Sequence, residues 1–148
     1  MTVNCHELAQ LLAALRGASM LHQTHHWRSK GLTSYSDHLL FERLYNGTVE
    51  FVDSVAERAM GLGGADSLAF DMQIEWLNRA VSKLPSGSTQ DEMASGSLSA
   101  VTFILTLIPS VREALEARGE LSAGTDNMLQ SIEDKHEEFS YLLKSRLA

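Results

Sequence analysis

Four long stretches of the chain carry apolar residues at helical spacing, and the links between them are unequal: a short turn joins the first two, a long connection the second and third. Leu8, Leu11, Leu12, Leu15, Met20 and Leu21 set the first stretch, from Glu7 to about Lys30, where Gly31 interrupts it. Leu40, Leu44, Phe51, Val55 and Leu62 carry the second as far as Gly63-Gly64, and Ser34 with Asp37 resembles a capping box at its start. The third begins at Ser88 or Thr89 and runs to about Arg118 through Leu98, Val101, Ile104, Leu105, Leu107, Ile108 and Leu115, with a kink expected at Pro109. The fourth starts at Thr125 and traces Met128, Leu129, Ile132, His136, Phe139, Leu142 and Leu143 to the C-terminus. In the long connection, Leu68 to Leu84 forms a shorter amphipathic stretch with Phe70, Ile74, Trp76, Leu77 and Val81. No segment alternates as a half-buried strand does, so the predicted class is all-α.

A long connection lets the second and third helices run parallel, which is the single crossover of a ferritin-like four-helix bundle, here with a short extra helix in the crossover. At 148 residues, 44% hydrophobic and 21% charged, the chain suits a single ferritin-like domain over 1–148. A net charge of −7 argues against a nucleic-acid surface, which needs clustered Lys and Arg, and suits cation capture. Cys5 is the only cysteine, so no intrachain disulfide can form, and the opening MTVNCHEL lacks the basic and apolar regions of a signal peptide. A reducing cytoplasm is therefore expected. The longest apolar run, Val101 to Pro109, is broken by Thr102 and Thr106 and is too short for a bilayer, so no membrane insertion is expected.

The second helix also carries two pairs of metal-ligand residues, His38 with Glu42 and Asp53 with Glu57, each spaced i,i+4 and so on one face. His38 and Asp53 stand roughly 22 Å apart along the axis at ~1.5 Å rise per residue, too far to share one ion. Stepping ~100° per residue, the four positions nevertheless look out from one side of the helix. A second copy packed antiparallel would bring one chain's first pair to the other's second pair. Gly47 lies near the midpoint, where a missing side chain would let two helices cross closely about a twofold axis. His26, near the end of the first helix, should sit level with His38 and Glu42. The resulting mixed nitrogen and oxygen site suits Fe(II) with open positions for an oxidant; zinc could occupy it but offers no redox turnover.

The segments HHWRSKG, DHLLFERLY and VDSVAERAMGLGG resemble the mini-ferritin family, the DNA-binding proteins from starved cells, most strongly over residues 22 to 64. The resemblance implies a ferroxidase centre shared between two subunits, with His26-Trp27, His38, Asp53 and Glu57 in the family's motif positions and Glu42 at an acidic position where Asp is commoner. It further implies a hollow shell of twelve subunits that oxidises Fe(II) to Fe(III), preferably with hydrogen peroxide, and stores ferric oxide inside. Glu120 and Asp126 are the candidates for the family's acidic iron pore. Tyr141 stands where a Trp is common. The chain begins almost at its first helix and ends at Leu147-Ala148, so DNA binding through Lys-rich tails is not expected.

Blander readings stand beside these. An isolated Asp53/Glu57 pair would be a solvated helix face. His22 and His25 read as structural or surface residues, Trp27 as packing with or without a role as electron donor, and Met60, Met72, Met93 and Met128 as core fillers. Glu133 and His136 form Glu-x-x-His, the signature of an intrasubunit di-iron site as in bacterioferritins, although residues 98–110 of the third helix contain no carboxylate to complete it. A non-catalytic helical interaction module is the remaining alternative.

Overall fold

A computed structural model of the chain describes residues 6–148; Cys5 and the four residues before it, on which the expected compartment partly rests, lie outside the described residues. The elements are α1 (His6–Arg28), α2 (Ser34–Gly63), a 3-10 turn (Ala65–Leu68), α3 (Phe70–Val81), α4 (Gln90–Ala117) and α5 (Ala123–Leu147). Among the described residues there is no strand.

Pairs of residues at the helix ends give the topology. His26 at the end of α1 stacks on His38 at the start of α2, so these two form an antiparallel hairpin. Glu7 accepts from Arg118 while His25 reaches Ser97, so α1 and α4 are also antiparallel, and α2 and α4 therefore run parallel across the long connection. Arg58 donates to Thr125 at one end and Arg146 to Asp37 at the other, setting α5 antiparallel to α2. The predicted bundle with one crossover is the one observed.

The apolar stripes meet in two clusters. Leu11, Leu15, Val55, Ile104, Ile108, Leu115, Leu129 and Ile132 fill one. Phe41, Leu44, Met93, Val101, Phe139 and Leu143 fill the other, beneath the end of the bundle that carries His26 and His38. Taken whole, α4 is long and apolar enough to cross a bilayer by length and composition, with a mean hydropathy of 1.6 in its best window, which the Val101–Pro109 run understated. Its Met93, Val101, Ile104, Ile108 and Leu115 are nevertheless spent inside the protein core.

Local signals differ in detail from expectation. Thr89 and Glu92 form a reciprocal capping box at α4, and α4 runs through Pro109 without a break. No Ser34/Asp37 box forms at α2: the N-cap is Thr33, whose hydroxyl donates to Asp37 (2.9 Å), because Asp37 is turned into the protein. Ser122 rather than Thr125 caps α5, accepting from the Thr125 N–H (3.0 Å). Gly31, in the α1–α2 turn, has φ +87°, a left-handed conformation that favours glycine.

Gly47 makes room within its own chain. It lies on the opposite side of α2 from His38, and a Cβ there would come within 2.5 Å of the Phe139 ring on α5. Gly47→Ala is therefore expected to destabilise the single chain by about 1–3 kcal/mol through overpacking. Urea denaturation should show the loss and Phe139→Leu should relieve it; a variant that unfolds like the parent contradicts this packing.

Candidate metal centre

Only five residues, 29–33, join α1 to α2, and this brings His26 and His38 face to face. Their rings stack with centroids 3.6 Å apart and planes 22° off parallel, with Tyr45 edge-on to His26 at 5.3 Å. Each Nδ1 bonds the other residue's backbone carbonyl, His26 to His38 O at 2.9 Å and His38 to His26 O at 3.0 Å. A carbonyl only accepts, so both Nδ1 atoms carry the proton, and in the neutral rings both Nε2 atoms keep a free lone pair. Backbone carbonyls thus fix the tautomer that metal ligation needs.

Glu42 is half-buried one turn on, while Asp53 and Glu57 are exposed near the other end of α2. Among the described residues none of these three carboxylates has a hydrogen-bond or ion-pair partner, and no three His, Cys, Asp or Glu side chains converge within the chain. One chain holds the two halves apart, as their spacing requires. The arc of α2 that bears His38, Glu42, Asp53 and Glu57 also bears Tyr35, Leu39, Val49 and Met60, all exposed, with Val49 at 50%. Large apolar side chains are thus interleaved with the unpaired carboxylates on this exposed face.

No family model matches the chain. In fold it is similar to Dps from Thermosynechococcus elongatus, with a TM-score of 0.82 and 20% identity over 97% of this chain and 89% of that one. It is also similar to a Dps protein from Vibrio cholerae O1, described as one of the ferritin-like diiron-carboxylate proteins (TM-score 0.80, 18% identity, 97% and 88% covered). In sequence it is 30% identical over 138 residues to the nutrient stress-induced DNA-binding protein of Nostoc sp. PCC 7120, covering 93% of this chain and 73% of that protein. The chain belongs to the Dps mini-ferritin family.

Several residues of this Dps chain stand otherwise than expected. Trp27 is 69% exposed, so it is no core packing residue of its own chain, and Tyr141 is equally exposed. The intrasubunit di-iron alternative fails on geometry, because Glu133 turns outward to Arg112 (3.8 Å) while His136 points inward. The pore candidates are engaged: Asp126 accepts from Arg112 at 2.7 Å and Glu120 pairs with Arg118 at 3.4 Å. Glu57 and Glu120 line one open cleft.

Two further groups lie buried beside the ligand set. Asp37, only 1% exposed, accepts from Arg146, Gln90 and Thr33. Burial alone would push its carboxyl up, but those donors outweigh it and hold the group below its ordinary value. Its position on the apolar stripe with Leu40 and Leu44 was the available signal. The second group is His22 and His25, both fully buried, with each Nδ1 2.9 Å from Ser97 Oγ. The serine has one proton to give, so one imidazole accepts it and the other donates to Oγ. His136 is likewise buried, its Nδ1–H donating to Ile132 O at 2.7 Å. The Nε2 atoms of all three have no partner. Desolvation pushes His22 down to about 3, aided by the charges of His136 and His25, and pushes His25 and His136 down to about 4.

Proposed function

We propose that this Dps chain is an iron-storage and detoxification protein with a ferroxidase centre shared between two copies. One copy supplies His26, His38 and Glu42; the other supplies Asp53 and Glu57. The observation that carries the proposal is the exposed arc of α2, where both unpaired ligand sets lie among exposed apolar side chains. An antiparallel second copy buries that arc and removes the separation of roughly 22 Å at both ends at once.

Fe(II) is the substrate. Two imidazole nitrogens with free lone pairs and three carboxylates make a nitrogen and oxygen set that suits a ferrous ion and, through its negative charge, favours the ferric product. One hydrogen peroxide takes one electron from each of two ferrous ions and, with two protons from solvent, leaves as two waters; oxygen is the alternative oxidant. The Fe(III) formed passes to a ferric oxide mineral inside a hollow shell of twelve copies in the cytoplasm. DNA binding is not part of the proposal, because a net charge of −7 does not favour phosphate.

Light scattering should give a particle of about 196 kDa, twelve copies of the 16.3 kDa chain. Sharing itself is tested by hybrids. Chains with His38→Ala and chains with Asp53→Ala and Glu57→Ala, each inactive alone, should regain oxidation when reassembled together, since half the sites of each hybrid pair are then intact. Hybrids as inactive as their parents, or a monomeric chain, would overturn the shared centre.

A further inference from the structure

We propose that Arg146, on the last turn of α5, is a positioning residue for the metal centre: acting through Asp37, it sets the register of the His26/His38 pair. The proposal rests on the reading of that pair as metal ligands. The two rings meet only while the end of α1 and the start of α2 keep their register, since each ring is anchored on the other residue's carbonyl. Within the link itself, one backbone bond runs from Ser34 N–H to Gly31 O (3.1 Å). Gly31 is exposed with a left-handed φ, and Leu32 is fully exposed.

Restraint from outside the link comes from α4 and α5. Arg146 grips Asp37 with two bonds, Nε to Oδ1 at 2.7 Å and a terminal nitrogen to Oδ2 at 3.0 Å. Gln90, at the start of α4, donates to Asp37 Oδ2 (2.8 Å) and accepts from the Lys30 backbone N–H (3.0 Å). Thr33 donates to the same Oδ2 at 2.9 Å. Both sides of the α1–α2 turn are therefore tied to one buried carboxylate, and that carboxylate is the residue immediately before His38. Without Arg146 the buried Asp37 charge would keep only the neutral donors Gln90 and Thr33 and no countercharge, which draws the side chain toward water and carries His38 away from the His26 carbonyl. Loss of such an outer partner weakens metal binding by about 10–100-fold.

The probe is Co(II), titrated into the assembled protein and followed by its visible absorption, with His38→Ala as reference. Arg146→Gln is expected to assemble, to bind Co(II) at least about tenfold more weakly and to shift its spectrum. Arg146→Lys, which keeps the charge but not the two-pronged grip, should recover part of the affinity. An arginine that only stabilised the bundle would lower the unfolding midpoint and leave the spectrum of the assembled protein unchanged, and that result overturns the proposal. Should Arg146→Gln fail to assemble, Gln90→Leu, which keeps the ion pair and cuts the tie to Lys30, decides: wild-type affinity and spectrum there overturn it equally. Failure of the underlying reading looks different, because Co(II) binding would then survive His38→Ala.

Discussion

Asp53→Ala combined with Glu57→Ala should abolish rapid Fe(II) oxidation in a protein that still folds and assembles. The two halves of this expectation have separate physical grounds. Both carboxylates are exposed and unpartnered in their own chain, and alanine is the best helix former, so the change should move stability by no more than about 0.5 kcal/mol. The centre, however, loses the whole contribution of one copy. Removing mere outer partners of a metal site costs about 10–100-fold, so losing two direct ligands should cost on the order of 100-fold or more. Stopped-flow absorbance after mixing ferrous ion with peroxide measures the rate, and circular dichroism with light scattering checks helix content and mass. Parent-like kinetics in the assembled double variant would sink the centre. A parent that oxidises no faster than buffer would instead leave the non-catalytic interaction module in front.

Much of the bundle was legible because helical periodicity and link length are local quantities. The four stripes, the stops at Gly31 and Gly64 and the crossover each depend on residues near one another in the chain. The ligand arc was legible for the same reason, since spacing alone fixes which residues share a face. Gly47 is a position where spacing along the chain and direction around the helix part company. Nine residues at ~100° each put Gly47 half a turn from His38, though nearer to Glu57, and there the midpoint in sequence meets Phe139. Other features depend on contacts that no spacing reveals. Asp37 is a cap residue by pattern, yet Arg146, 109 positions away, draws it inward. His22 and His25 become neutral core groups because Ser97 on α4 meets both. Trp27 is exposed although it sits beside a buried histidine.

Acid should weaken this bundle well before ordinary carboxylate titration begins. His22, His25 and His136 lie inside the bundle with pKa values pushed down to about 3, 4 and 4, against 6.5 for a solvated imidazole, chiefly because burial disfavours the charged ring. Between pH 6.5 and about 4 the unfolded chain therefore binds protons that the folded chain refuses. Stability rises with pH wherever the unfolded state holds more protons, so it must fall as the pH drops through this window and be at its full value above 6.5. Each group contributes a slope of about 1.4 kcal/mol per pH unit, which over two units is a large part of a total stability of about 5–15 kcal/mol. Asp37 and Glu7, held low by Arg146 and Arg118, act in the same direction only at more acid pH, below about 4. Urea midpoints measured from pH 7.5 downward should show the steep limb starting near 6.5. His136→Leu removes one of the three imidazoles together with its unpartnered Nε2, so its limb should be shallower by about one proton's worth; a slope equal to the parent's would show that these rings are not what acid attacks.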